Sequence, residues 1–292
     1  MQRVARLVEL SYAHQRGFYG NDIVIAVVDS GVASHCDISS DRMIAAVDMV
    51  NNRKGFYDDN GHGTHVSGIL GANGASFVGM APACRYVSVK VLDSKGDGKL
   101  SNVINGLIWL CENHSKYNIR IINISVGTPV GKSFDETSEL VRLVERLWEE
   151  GCIVVAAAGN NGPETGSVGA PGISRKIITV GACDDNYRGT GYRNYSGRGP
   201  TKSCIRKPDI VAPGSRIYSC SNMPGRRRYT VKSGTSMATP VVSGAIALLL
   251  SKYPDMTGKD VKIRLKETAI DLGLPHHVQG WGMINVRRLL YY

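Results

Sequence analysis

Six short apolar runs, each rich in β-branched residues, recur along this 292-residue chain at 23–28, 85–91, 119–124, 153–158, 177–180 and 208–211. The run Ile-Val-Ile-Ala-Val-Val at 23–28 has no polar alternation. A strand made from it must be covered on both faces, as the strands of parallel sheets are. Stretches with helical spacing lie between several of the runs. Residues 101–113 place Val103, Ile104, Leu107, Ile108 and Leu110 at that spacing. Residues 134–150 do the same with Leu140, Leu143, Val144, Leu147 and Trp148, and Gly151 stops the helix. Residues 236–251 are strongly apolar, and Pro254 follows them. Strands alternating with helices fold as βαβ units. The expectation is an α/β fold, three layers deep (αβα), with a mostly parallel central sheet. No repeat, low-complexity tract or Pro/Ser-rich linker divides the chain, so a single domain over 1–292 is expected.

Composition removes several classes. With 42% apolar residues the chain is not disordered, and its 34 glycines follow no collagen period. No apolar run approaches the roughly 20 residues that span a bilayer. The longest, 241–250, is interrupted by Ser243 and Gly244. The first 20 residues carry basic side chains but no continuous apolar stretch, so they do not read as a signal peptide. Lys plus Arg exceed Asp plus Glu by 35 − 25 = 10. That charge draws anionic partners, but it is scattered apart from Arg226-Arg227-Arg228. No zinc-finger spacing or aromatic-interleaved basic stripe accompanies it, so no nucleic-acid partner is expected. The seven cysteines are odd in number and form no C-x-x-C pair. Cys84, Cys111, Cys152 and Cys183 sit in or beside apolar runs and read as small buried thiols in a reducing compartment. A cytoplasmic location follows, or a secreted one if the chain is a trimmed precursor.

Three segments carry chemistry-bearing residues. Asp29 ends the run at 23–28, where open α/β sheets place ligands, although many such residues merely cap a turn. In Asn60-Gly61-His62-Gly63-Thr64-His65, glycines flank His62 and let backbone or substrate come close to the imidazole. Two His three apart could be metal ligands, but no H-E-x-x-H pattern holds them. His65 begins an apolar helical stretch and reads as a packed or hydrogen-bonded residue. In Ser233-Gly234-Thr235-Ser236-Met237-Ala238, either Thr235 or Ser236 could cap the helix that follows. A serine in that first turn has its hydroxyl and N–H at the positive end of the helix.

Taken together, AVVDSGV, GHGTHVSG and SGTSMATP, in that order, resemble the subtilisin-like serine proteases (subtilases). Further matching segments are GMAPACRYVSVKVL, INGLIW, INISVGTP, VVAAAGNNGP, ITVGA, DIVAPG and GWGMINV, so the resemblance runs from about Gly17 to Leu289. It implies a subtilisin-like sheet of about seven strands and a serine endopeptidase. By that resemblance Ser236 is the nucleophile, His62 the general base and Asp29 its orienting partner, with Asn160 in the oxyanion hole. Substrate would lie extended. Ser125, Val126 and Gly127 would form one wall of the P1 pocket, and Ala157, Gly159 and Gly169 the other wall and floor. Leu100, Val103 and Val126 would line an apolar P4 pocket. The small, uncharged P1 lining implies large apolar P1 residues. The alternative is a non-catalytic module of the same fold that binds peptides or regulates a partner.

Catalysis of this kind needs no cofactor. A structural calcium is an expectation only at Asp37, where the family often has a ligand; the segment 71–79 is shorter than the family's calcium loop. An inhibitory pro-segment is common in the family, and only 22 residues precede the run at 23–28, so no separate pro-domain is expected within the chain. The basic segment 226–228 and Lys232 precede Ser236, and the family topology implies a place beside the leaving-group side of the cleft.

Overall fold

The structure is a computed structural model and describes residues 1–127, 135–186 and 194–291. Among the described residues seven strands, β1 (Val24–Asp29), β2 (Met43–Asp48), β3 (Arg85–Lys90), β4 (Ile119–Ile124), β5 (Ile153–Ala157), β6 (Ile178–Ala182) and β7 (Ile210–Ala212), form one sheet. Its order is β2-β3-β1-β4-β5-β6-β7, and every pairing is parallel. A separate antiparallel hairpin is made by β8 (Ile217–Cys220) and β9 (Tyr229–Lys232). The helices are α1 (Gln2–Leu7), α2 (Ser11–His14), α3 (His62–Gly71), α4 (Leu100–Asn113), α5 (Glu139–Glu149), α6 (Thr235–Lys252), α7 (Gly258–Thr268), α8 (His276–Gln279) and α9 (Val286–Tyr291).

The strand period explains the continuous apolar runs. In β1, Ile25 and Val27 enter the core that α3, α6, α7 and α9 cover, with Val66, Ile69, Val241, Leu265 and Leu289. Val24, Ala26 and Val28 enter the opposite core, with Leu107 and Leu110 of α4 and Leu140, Val144 and Leu147 of α5. One strand therefore needs apolar side chains at every position, and the three-layer αβα architecture follows. α6 is 18 residues long with a mean hydropathy of 1.2, enough by length and composition to cross a membrane. However, 83% of it is buried inside the protein, and it is the central core helix of its layer.

Some elements differ from expectation. β2 has five of its six residues half-exposed because it is an edge strand, and its Ala45 and Ala46 give no β-branched signal. The helix expected over 134–150 begins at Glu139, after a turn from 135 that Ser138 ends; Phe134 lies outside the described residues. Thr128 and Pro129 of the INISVGTP segment lie outside them too. All seven cysteines are free. Cys84 and Cys152 are buried as expected, whereas Cys111, on the flank of α4, and Cys183, just past β6, are half-buried.

β1 lies between β3 and β4: the chain builds β2 and β3 on one side of it and then crosses to β4 on the other. Loops diverge at such a point and open a crevice beyond the carboxyl ends of the strands. Asp29 ends β1, Ser125 follows β4, and Asn160 lies three residues past β5.

Candidate active site

Asp29 is fully buried at the end of β1. α3 is brought to it by a network centred on Asp58. The Asp58 carboxylate accepts the N–H groups of Asn60 (3.0 Å), Gly61 (2.8 Å) and Thr64 (2.9 Å), and the Thr64 hydroxyl (2.7 Å). These satisfy N–H groups at a helix start that have no intrahelical partner. Asp58 also accepts the Ser30 hydroxyl at 2.8 Å, and Ser30 Oγ in turn accepts the Gly63 N–H at 2.9 Å. The helix start is thereby tied to the residue after Asp29. Gly63 permits this approach, because a Cβ there would run into the Gly31 carbonyl. The result is a hydrogen bond of 2.7 Å between His62 Nδ1 and Asp29 Oδ1. Burial opposes a charged His62, but the Asp29 charge and hydrogen bond outweigh it, and the imidazole titrates above its ordinary value.

Ser236 lies in the first turn of α6. Its hydroxyl donates to the Ser125 carbonyl at 2.8 Å. Pro240, four residues on, has no N–H to give to the Ser236 carbonyl. The Ser125 hydroxyl fills that role at 3.1 Å. Beneath it, Asn123 Nδ2 donates to Ser125 Oγ (2.9 Å) and Ser243 Oγ donates to Asn123 Oδ1 (2.8 Å), a buried chain that fixes the floor under Ser236.

Asn160 Oδ1 accepts both the Thr235 N–H (2.9 Å) and the Thr235 hydroxyl (3.0 Å). A backbone N–H can only donate, so the side-chain oxygen must face Thr235. The Asn160 amide nitrogen is thereby turned the other way. Thr235, which sequence reasoning left as one of two capping candidates, is thus the residue that orients Asn160. No local pattern announces that pairing, because the partners are 75 residues apart.

His62, Ser236 and Asn160 line one cleft of about 560 Å³. Leu100, Val103, Ser125, Val126, Gly127, Ala157, Gly159 and Gly169 line it as well, so the expected substrate-binding residues are brought together. Asp29 lies behind His62, out of the cleft. Asn60, Lys95 and Asp97 also line the cleft, and sequence reasoning missed them because each sits in a turn of ordinary polar composition.

His65 is a packed residue. It is fully buried, its Nε2 lies 3.0 Å from the Ile217 carbonyl, and burial, with lesser repulsion from His62 and Lys232, pushes its pKa down to about 3. Lys232 lies near enough for its charge to act against a protonated His62, whereas Arg227 and Arg228 are not among the residues lining the cleft. The segment forms the tip of the β8–β9 hairpin, and the Arg228 side chain is drawn to the Gly225 carbonyl at 2.9 Å. Asp37 is buried, with its carboxylate against the Cys36 thiol (3.4 Å) and the Tyr229 hydroxyl (2.9 Å). His35 and Cys220 complete its surroundings. Calcium takes about six to eight oxygen donors, and this sulfur- and nitrogen-rich set does not fit it.

A hydrogen-bonded Asp–His pair and a helix-start serine on one cleft, at the switch point of a parallel α/β sheet, define the class of serine hydrolases. Comparison with known proteins narrows it: residues 20–282 match the description "Subtilase family", and the chain belongs to that family. It is 40% identical over 272 residues to "Serine protease AprX" of Bacillus subtilis (strain 168), a match covering 85% of this chain and 61% of AprX. This chain thus spans about three fifths of the length of that relative. It is 34% identical over 285 residues to "Subtilisin DY" of Bacillus licheniformis, covering 96% of this chain and 95% of that protein. The crystal structure of a cold adapted subtilisin-like serine proteinase superposes with a TM-score of 0.72 at 29% identity, over 92% of this chain and 89% of the other. The chain is a subtilisin-like serine endopeptidase acting on peptide or protein substrates.

Proposed function

We propose that Asp29, His62 and Ser236 are the catalytic triad and that Asn160 and the Ser236 N–H form the oxyanion hole. The observation that carries this reading is the 2.7 Å Asp29–His62 hydrogen bond, with His62 on the wall of the cleft that Ser236 and Asn160 share. A serine hydroxyl attacks a carbonyl only if its proton is removed as it does so. Asp29 accepts the Nδ1 proton of His62, which leaves the Nε2 lone pair free to act as base. Attack requires the Ser236 hydroxyl to turn from the Ser125 carbonyl to that lone pair. The proton then passes from His62 to the leaving amine, and Asp29 stabilises the transient imidazolium. The Asn160 amide N–H, held by Thr235, and the Ser236 N–H, at the positive end of α6, meet the developing oxyanion.

Substrate runs extended through the cleft. A P1 side chain passing between Ser125–Gly127 and Ala157, Gly159 and Gly169 meets small uncharged groups, which favours large apolar residues. Leu100, Val103 and Val126 favour an apolar P4 residue. An inhibitory pro-segment, where one exists, occupies the same cleft. The seven unpaired cysteines support a reducing, cytoplasmic setting.

The test is labelling with a fluorophosphonate, which reacts only with an activated serine. The parent protein labels and hydrolyses peptides; Ser236→Ala does neither and keeps its fold by circular dichroism. Absence of labelling in the folded parent would identify a non-catalytic peptide-binding module instead.

A further inference from the structure

We propose that His35, Asp37 and Cys220, with Cys36 as a fourth donor at the rim, form a binding site for a soft divalent transition-metal ion of the zinc type. One donor atom from each of His35, Asp37 and Cys220 lies within 4.8 Å of the other two, and all three residues are buried. Cys36 Sγ, on the exposed side, is 3.4 Å from Asp37 Oδ1 and 3.8 Å from His35 Nδ1. Donors bonded at ~2.0–2.3 Å in a tetrahedron lie ~3.5 Å apart, so binding draws the group together by about an ångström. Two sulfurs, an imidazole and a carboxylate suit zinc, and they are the wrong chemistry for calcium or magnesium.

The surroundings hold these donors as outer groups hold metal ligands. His35 Nε2 is 2.8 Å from the Arg228 carbonyl, which can only accept, so Nε2 carries the proton and Nδ1 the lone pair. That lone pair accepts the Asp37 N–H at 3.0 Å, a bond the ion would replace together with the Cys36 thiol's bond to Asp37 Oδ1. The Tyr229 hydroxyl holds Asp37 Oδ2 at 2.9 Å and leaves Oδ1 on the thiol side. Gly74 keeps the space against the carboxylate clear, since a Cβ there would overlap it. Two thiolates and a carboxylate around a doubly charged ion leave one net negative charge. The Arg228 guanidinium, 3.6 Å from Cys36 Sγ, offsets it. The ion would tie the turn at 35–38 to β8, whose Ile217 carbonyl faces His65 of α3, in a hairpin that leads directly into α6. It therefore braces the two helices that bear His62 and Ser236 without touching the cleft.

The experiment uses the full chain with Ser236→Ala, which prevents self-digestion, stripped with a chelator and titrated with zinc, cobalt(II) and calcium. One zinc per chain binds and raises the melting temperature in proportion to the logarithm of free zinc; calcium leaves it unchanged. The cobalt(II) adduct shows thiolate-to-metal charge-transfer bands and tetrahedral d–d bands. Cys220→Ser lowers zinc affinity by about 100-fold and the rim change Cys36→Ser by about 10-fold, whereas Cys204→Ser binds as the parent does. If Cys220→Ser does not fold, Cys36→Ser and the cobalt spectrum decide. Failure to bind zinc at micromolar concentration, parent-like binding by Cys36→Ser, or a cobalt spectrum without thiolate bands overturns the proposal.

Discussion

Replacing Asp58 by Asn keeps the shape of the side chain and removes its charge. The carboxylate now receives five hydrogen bonds: Ser30 Oγ, Asn60 N and Gly61 N on Oδ1, and Thr64 N and Thr64 Oγ1 on Oδ2. The best Asn placement puts its oxygen at the Oδ1 position, where three donors meet. Its NH₂ group then faces Thr64. The Thr64 hydroxyl can turn and accept, but the buried Thr64 N–H cannot, and an unsatisfied buried N–H costs about 1–3 kcal/mol. Making the surviving bonds neutral rather than charge-assisted costs about 1 kcal/mol more. A total of about 2–4 kcal/mol corresponds to a fall in melting temperature of about 3–7 °C for a chain of this size, whose unfolding entropy is about 0.6 kcal/mol/K. Calorimetry on the Ser236→Ala background measures it without self-digestion. In the active enzyme, His62 is the first residue of the helix that Asp58 anchors, so kcat falls by about 10–100-fold while KM changes little. A melting temperature and kcat both indistinguishable from the parent would refute the claim that Asp58 fastens α3 to β1.

Because His62 titrates above its ordinary value of ~6.5 and must be neutral to act as base, kcat/KM rises with pH through a midpoint above that value. The sign for stability is opposite: the charged His62–Asp29 pair stabilises the fold below ~6.5 and that contribution is lost as pH rises through the raised value. A rate profile that is flat, or whose midpoint lies below ~6.5, contradicts the pairing. Asn160→Asp keeps an oxygen toward Thr235 and puts an acceptor where a donor stood, so kcat drops by ~10²–10³, a magnitude whose source is subtilisin itself. KM stays near the parent value in the same steady-state assay, and an unchanged kcat would remove Asn160 from the oxyanion hole.

The sheet was legible in the sequence wherever a strand is buried on both faces. Such strands, like β1, β4 and β5, need apolar side chains at successive positions and are visible as runs. β2 was not visible, because an edge strand with half-exposed alanines leaves no such run. The chemistry-bearing residues were legible as well, since their motifs carry glycines whose backbone favours no other residue, at Gly61 and Gly234, although Gly63 is required by the distant Gly31 carbonyl. Gly234, for instance, has φ of 149°. What the sequence could not hold is direction in space. Asn160 was legible, but the way its amide faces depends on Thr235; Ser125 was legible as a pocket wall, but not as the donor that replaces the N–H missing at Pro240. The Asp37 site is the sharpest case. Its carboxylate suggested calcium, and only folding brought Cys220 and Tyr229, more than 180 residues away, against it and changed the donor chemistry. Local pattern records what each backbone segment requires of itself, whereas the partners of a buried polar atom are set by which distant segments the packed layers bring together.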